Sequence, residues 1–328
     1  MRLTVATYNI HKGVVNQMFG VRRASTIHNL RARLHEMHAD LLFLQEVQGE
    51  HARHARRFDQ WPTERQDQFL TVGAARPLQS AYGRNANYLH GHHGNALLSR
   101  FPILREDNRD VSDHVLEKRG VLHCVVDVEG VAVHCFVVHL GLFARSRERQ
   151  ADVLTDWIGK AVGPDEPLLV AGDFNDWRDH LSNRMYARLG VTEVFDVARP
   201  PLVRKAADFV RARLAPGERA EAVRLPTDSP SRRIGLPGLP KLPMPGAIRP
   251  ARTYPSLLPC LRMDRIYQRG FAVRDAQVLR GPAWAKLSDH APLVATLELL
   301  PAGKRSGPLP VATPKNGELP EPVAPAEE

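Results

Sequence analysis

The run Leu168-Leu169-Val170-Ala171-Gly172-Asp173-Phe174-Asn175-Asp176 passes within a few residues from wholly apolar to acidic and amide-bearing. Its apolar half has the composition of a buried strand, and Gly172 marks where that strand stops. Strand side chains alternate between faces, so Asp173 and Asn175 should share one face while Phe174 points to the other. A carboxylate and an amide at the mouth of a rigid strand suit the holding of a water, a metal ion or a phosphate oxygen. The plainer alternative is a strand followed by an Asp/Asn-rich turn. Whether other strands end in the same way decides between the two.

Several do. Leu3–Ile10 reads as a strand ending in Asn9-Ile10-His11-Lys12-Gly13. Ser25 is placed to cap a helix with Ile27, Leu30, Leu34 and Met37 at helical spacing. Asp40–Glu46 is then a strand that stays apolar until Gln45-Glu46. Further on, Val121–Val128 and Val131–His139 flank Glu129-Gly130 as a β-hairpin, which sets Cys124 opposite Cys135 as neighbouring free thiols. A helix near Arg147–Lys160, with Val153, Leu154, Trp157 and Ile158 on one side, leads to the strand that ends at Asp173. Strand, helix, strand with polar exits therefore occurs twice, as an architectural echo without a sequence repeat.

The rest of the chain is read more coarsely. His51–Phe58 is expected to be helical and Phe69–Ala74 a strand, with Tyr82 and Asn85–Tyr88 in loops. Gly94–Ile103 is a short apolar strand stopped by Pro102, and Leu261–Tyr267, Ala272–Val278 and Leu293–Leu299 are the last strands. Because strands outnumber helices, the expected architecture is a two-sheet sandwich with helices packed outside. Val203–Leu214 allows a short basic amphipathic helix. Pro226–Pro250 is too rich in Pro and Gly for regular structure, and residues 301–328 have the composition of a disordered tail.

Composition narrows the class. A chain of 328 residues with 43% hydrophobic residues can bury a large core. No basic and apolar leader precedes the first strand, no apolar stretch approaches the roughly 20 residues of a membrane span, and three cysteines are too few for a disulfide framework. A reduced cytoplasm is the simplest setting. The net charge of +9 is concentrated: Arg199 to Arg252 holds twelve Lys/Arg against four acids. Nucleic acid or an anionic membrane surface would meet that segment first, and a solvated basic loop is the plain alternative. No obligate protein partner is evident.

The polar strand ends form an ordered set: Thr7-Tyr8-Asn9-Ile10, Leu44-Gln45-Glu46, Gly94-Asn95-Ala96-Leu97-Leu98-Ser99-Arg100, His139-Leu140-Gly141, Gly172-Asp173-Phe174-Asn175, Met263-Asp264-Arg265-Ile266 and Ser288-Asp289-His290. This set resembles the endonuclease/exonuclease/phosphatase superfamily, which includes DNase I, apurinic endonucleases, inositol-polyphosphate 5-phosphatases and neutral sphingomyelinases. The resemblance runs from about Leu3 to Leu299, leaving the Arg199–Arg252 excursion and the tail outside its motifs. Asn9-Ile10-His11-Lys12-Gly13 and Thr253-Tyr254-Pro255 look like a bacterial branch of unassigned substrate. The resemblance implies an α+β fold, a DNase I-like four-layer sandwich of two packed mixed sheets flanked by helices, over residues 1–300.

It also implies roles. Glu46 would bind Mg2+, or Mn2+, with Asn9 and Asp289 in or near the coordination shell; oxygen donors suit these ions better than zinc. Asp173 would orient or deprotonate a water, and Asn175 would bond the developing phosphorane. His290, oriented by Asp264, and His139 would contact phosphoryl oxygens as imidazolium donors. Arg119 resembles a phosphate-contacting arginine, and Asn95 and Tyr82 are substrate-binding candidates whose alternatives are a turn amide and a packed aromatic. His90, His92 and His93 read as a loop cluster without metal-ligand spacing, and Cys260 as a small core residue. The expected function is metal-dependent hydrolysis of a phosphate ester. The alternatives are a nuclease, a phospholipid-headgroup phosphodiesterase, or a non-catalytic binding protein on the same fold.

Overall fold

The computed structural model describes residues 1–16, 23–114, 117–197 and 251–305. The first half of the chain forms β1 (Arg2–Asn9), β2 (Val14–Asn16), β3 (Arg23–Ser25), α1 (Ile27–Glu36), β4 (Leu41–His51), α2 (Ala52–Arg57), α3 (Gln66–Thr71), β5 (Gln79–Tyr88), β6 (Gly91–Ser99) and β7 (Ile103–Asp110). The second half forms β8 (Gly120–Val128), β9 (Val131–His139), α4 (Ala144–Ala161), β10 (Leu168–Asp173), α5 (Ser182–Leu189), β11 (Thr192–Glu193), α6 (Val194–Val197), β12 (Asp264–Arg269), β13 (Phe271–Val278), α7 (Pro282–Ala285) and β14 (Leu293–Leu299).

Two six-stranded sheets result, ordered β13-β14-β1-β4-β6-β5 and β11-β12-β10-β9-β8-β7, beside the small β2-β3 ribbon. Each large sheet has one parallel pair, β1 with β4 and β9 with β10, and each pair is joined through a helical crossover. The period-2 pattern explains the layering. In β1, Leu3 and Val5 enter the core between the sheets, with Leu41, Phe43, Leu122, Cys124, Cys135, Val137, Leu169 and Ala171. Ala6 and Tyr8 face the other way, onto Ile27, Leu30 and Leu34 of α1 and Phe69 and Leu70 of α3. The outer face of the second sheet buries Phe136, Val138, Leu168 and Val170 against Leu154, Trp157 and Ile158 of α4 and Met185 and Leu189 of α5. Helix, sheet, sheet and helix are thus the four layers of an α+β sandwich. Each fully buried side chain of Leu or Phe size contributes on the order of 1.5–3 kcal/mol.

The β8–β9 hairpin has the expected register: Val128 opposes Val131 and Cys124 opposes Cys135, both thiols free and buried. Other expectations are corrected. Phe69 lies in helix α3, because one helical turn brings Phe69 and Leu70 together onto α1. Tyr82 and Asn85–Tyr88 are part of β5, an edge strand that pairs only with β6 and so tolerates polar residues. His92 and His93 belong to β6 rather than to a loop. Ser25 ends β3, and the residue preceding α1 is Thr26, whose hydroxyl bonds Leu287 O at 3.1 Å instead of capping. Val153 is exposed on α4, off the stripe formed by Ala151, Leu154, Trp157 and Ile158. Cys260 is exposed.

The helix expected at Val203–Leu214, residues 199–250 of the basic excursion and residues 306–328 of the tail lie outside the described residues. Among the described residues no helix is long and apolar enough to cross a membrane.

Candidate active site

The strand exits converge because both parallel pairs end at one edge of the sandwich. Across the second sheet, His139 of β9 lies directly opposite Asp173 of β10, and Asp173 directly opposite Asp264 of β12. Directly opposed residues share a face. Two residues further into the sheet, the same rows hold Val137, Ala171 and Ile266 in the core between the sheets. The three polar side chains therefore face the end of that core. From the first sheet, Asn9 Nδ2 reaches across to donate to Asp173 Oδ2 at 3.1 Å.

Gly172 permits this geometry. A Cβ there would lie 1.9 Å from Val138 O, at a φ of +150°. Phe174 then points outward onto Tyr267, as alternation requires, with ring centroids 5.1 Å apart. Asn175 departs from simple alternation. The strand has ended, Asn175 is left-handed at φ 52°, and its backbone N–H donates to Asp173 Oδ1 at 2.9 Å. Its Nδ2 donates to Leu140 O, also at 2.9 Å. Asp173 is thus held by Asn9 on one oxygen and by Asn175 on the other.

His290 enters on the loop before β14. Its backbone N–H donates to Ser288 Oγ at 3.2 Å, and that hydroxyl donates to Asn9 O at 2.6 Å. His290 Nδ1 lies 2.9 Å from Asp264 Oδ2, and Nε2 lies 3.7 Å from Asp173 Oδ2. Burial works against a charge on this ring, but the Asp264 and Asp173 carboxylates outweigh it and push the imidazole up to about 10. His139, with Nε2 at 3.6 Å from Asp173 Oδ2, goes the other way: burial and then Arg119 hold it well below the usual histidine range. Of the two histidines expected as imidazolium donors, His290 alone carries the proton at neutral pH. Burial pushes Asp173 above the ordinary carboxylate range, Asp264 adds to the shift, and His290 opposes it.

The other half of the site lies toward the first sheet. A register shift in the β4–β6 pairing between Leu44 and Val47 contains Glu46, which sits at φ 55°. Its Oε2 lies 3.2 Å from Lys12 Nζ. Burial would raise this carboxyl, yet the Lys12 ammonium beside it holds it far below the ordinary range. Asp289 behaves alike: burial raises it, and the bond from His11 Nδ1 at 2.9 Å brings it down. His11 and Lys12 are both left-handed, at φ 46° and 59°. Such positions cost of order 1–3 kcal/mol each and gather at functional sites. Neither residue was singled out from the sequence, although they follow Asn9 by two and three residues at the strand exit.

Two groups could hold a cation. Asp173, Asp264 and His290 offer one ligand atom each within 4.8 Å of one another. However, His290 binds its proton between two carboxylates, and an imidazolium has no lone pair left for a metal. Glu46 and Asp289, with the Asn9 side-chain oxygen that accepts from His11 N at 3.1 Å, form an all-oxygen alternative.

Of the remaining expected residues, Arg119 is in place: Nε donates to Leu140 O at 3.1 Å and Nη2 to Glu117 Oε1 at 3.1 Å. Asn95 is buried beneath the site, with Nδ2 donating to Gly120 O and Val137 O while Oδ1 has no protein partner. Tyr82 is not brought to the group. Its ring packs on the helical side of the first sheet, and its hydroxyl bonds His92 Nδ1 at 2.9 Å. His93, read from the sequence as part of a loop histidine cluster, is a neighbour of the site. Two residues before Asn95 on the same strand, it shares that residue's face, and burial followed by Lys12 keeps it neutral, down to about 4. Tyr254 flanks His290, with ring centroids 5.1 Å apart.

Comparison with known proteins bears on the family and the fold. Residues 6–290 match the Endonuclease/Exonuclease/phosphatase family. The protein titled "Uncharacterized protein YbhP" from Escherichia coli (strain K12) is 37% identical over 298 residues, spanning 90% of this chain and 96% of that protein. The crystal structure of an endonuclease/exonuclease/phosphatase from Bacteroides vulgatus superposes with a TM-score of 0.60 at 16% identity, over 91% of this chain and 99% of that one. The human Nocturnin catalytic domain, solved with a bound sulfate anion, gives 0.57 at 19% identity, over 91% and 94%. The extent of the family match, together with the relative at 37% identity, establishes that this chain belongs to the endonuclease/exonuclease/phosphatase family.

Proposed function

We propose that the protein is a divalent-metal-dependent hydrolase of phosphate esters. The observation that carries this reading is the His139–Asp173–Asp264 row, closed by His290 within reach of both Asp264 and Asp173. A row of acid and base groups beside hard oxygen donors suits in-line attack of water on phosphorus.

Asp173 is the group we assign to the water. Its burial above the ordinary carboxylate range makes it a better base, and the bonds from Asn9 and Asn175 fix its oxygens. The water oxygen forms the new bond to phosphorus as its proton passes to Asp173, and the ester oxygen departs with the electron pair. His290, braced by Asp264, donates an N–H to a phosphoryl oxygen; charge-assisted bonds of this kind are about twice as strong as neutral ones. Neutral His139 contributes one N–H, and Arg119 fixed charge. The amide of Asn175 stands beside both and suits the developing phosphorane.

Glu46 and Asp289, with Asn9, fit a hard cation, because all their donors are oxygens and both carboxylates stay ionised. Mg2+ is the ion we assign there, with Mn2+ able to replace it; when bound, it supplies Lewis-acid polarisation of a phosphoryl oxygen. Lys12 pairs with Glu46, and His11 bonds Asp289 at the same carboxylates.

Turnover of bis-p-nitrophenyl phosphate and p-nitrophenyl phosphate with Mg2+ or Mn2+, abolished by EDTA, tests the reading. Absence of metal-dependent turnover on these esters and on DNA, RNA, inositol phosphates and phospholipids would overturn it.

A further inference from the structure

The turns that carry the site also carry much of the chain's exposed apolar surface. Leu257 (84% exposed) and Leu258 (77%) stand between Tyr254 and Leu261, Leu142 (62%) and Phe143 (66%) between β9 and α4, and Trp177 (45%) two residues beyond Asn175. A fourth tip, Leu89 in the β5–β6 hairpin, projects past Glu46, since β4 continues to pair His51 with Gly91. Single exposed leucines are ordinary. Here, among the described residues, six of the eleven large apolar side chains left in water lie on four turns at one end of the sandwich. Leu257 lines a cleft of about 240 Å³ whose other wall includes His11, Ser288 and Asp289, so this rim is continuous with the site.

Three arginines are exposed on the rim: Arg145 two residues after Phe143, Arg252 two residues before Tyr254, and Arg178 beside Trp177. On the third turn, Arg178 lies 4.4 Å over the Trp177 ring. The acids of that turn face inward: Asp176 accepts from the backbone N–H groups of His180 and Leu181, and Asp179 pairs with Arg262. Apolar tips backed by arginines suit the boundary between anionic headgroups and acyl chains. A nucleic acid would satisfy the arginines and leave the leucine pairs in water. A folded protein partner buries one contiguous patch, whereas these tips are separate and ring an opening.

We infer that this rim seats on an anionic phospholipid surface and brings a headgroup phosphate to the mouth of the site. The docking stands on the rim alone, while the choice of a lipid phosphate as substrate rests on the phosphoesterase reading. The full chain is to be sedimented with sucrose-loaded vesicles of phosphatidylglycerol and phosphatidylcholine, and with phosphatidylcholine alone. Binding to the anionic vesicles, reduced at least tenfold in Leu142→Ser/Phe143→Ser and in Leu258→Ser, is the expected result. Both variants should keep the parent's rate on bis-p-nitrophenyl phosphate within about twofold. No vesicle binding at low salt overturns the inference, as does binding that the rim variants leave unchanged. A change from dimer to monomer in the variants also overturns it, by making a second copy the occupant. If the parent binds vesicles but hydrolyses no ester, the phosphoesterase reading fails and the docking stands.

Discussion

The two halves of the site neutralise buried charge in different ways. On the second sheet, the counter-charge is part of the set itself: His290 stands 2.9 Å from Asp264 and 3.7 Å from Asp173. Toward the first sheet, Glu46 and Asp289 rely on Lys12 and His11, neighbours in a turn whose backbone is left-handed at both residues. One half pairs its carboxylates with a histidine of the same set. The other pairs two carboxylates with side chains that sit on a costly backbone, an arrangement that a cation can displace. That contrast is the physical ground for giving proton handling to the first half and ion binding to the second.

Breaking the closed half should have the largest effect. Asp173→Ala is expected to lower turnover of bis-p-nitrophenyl phosphate about a thousandfold with an unchanged circular dichroism spectrum; unaltered turnover would remove Asp173 from its role. His290→Ala should cost about a hundredfold or more, and Asp264→Ala added to it little further, since the pair acts as a unit. Full additivity in that cycle would mean that Asp264 does not act through His290.

The open half should respond to the ion first. Glu46→Gln is expected to raise the Mg2+ concentration for half-maximal rate by roughly ten- to a hundredfold, read equally by titration calorimetry. Lys12→Met should destabilise the protein in EDTA by about 1–3 kcal/mol, because a largely buried carboxylate loses its partner, and added Mg2+ should restore much of the loss. A variant equally stable with and without Mg2+ would erase the distinction between the halves.

Proton linkage gives a subtler test. The folded-state value of His290, about 10, lies above the ordinary 6.5. Its ionised form therefore contributes stability that is fully present below about pH 6.5 and is lost as pH rises through about 10. Urea denaturation between pH 6 and 10.5 should show a falling stability that His290→Asn flattens; an equally steep fall in the variant would place the titration elsewhere. Smallest of all is an effect remote from both halves. Three thiols should titrate in the denatured protein, and in the native protein exposed Cys260 alone should react promptly, because burial raises Cys124 and Cys135. Fewer than three thiols would mean that the facing pair is not reduced.

Much of this arrangement was legible in the sequence, for identifiable reasons. Apolar runs that stop at Asn9, Glu46, His139 and Asp173 report both the strands and their exits, and a two-residue turn at Glu129-Gly130 fixes the register that sets Cys124 against Cys135. Edge strands gave no such signal. β5 and β7 are polar because one side of each has no strand to meet, so Tyr82 read as a loop residue and β7 did not read as a strand. Left-handed backbone at His11 and Lys12 leaves no trace in residues that are not glycine, and the cations of the open half went unnoticed. The opposite shifts of His139 and His290 follow from burial beside Arg119 in one case and from the added Asp264 carboxylate at 2.9 Å in the other, which spacing along the chain does not encode.

The placement of one parallel pair in each sheet has a consequence for how such a chain can change. β1 and β4, like β9 and β10, must be joined by long crossovers, so the chain leaves β1 and β9 at the site end through long connections rather than tight hairpins. Asn9, His139 and Asp173 are each the last residue of their strand, anchored before the chain turns. Lengthening or rewriting a turn alters what approaches the opening without shifting the row beneath it. The sandwich thereby separates inheritance of the row from the choice of what reaches it, and new specificities can arise by loop replacement alone.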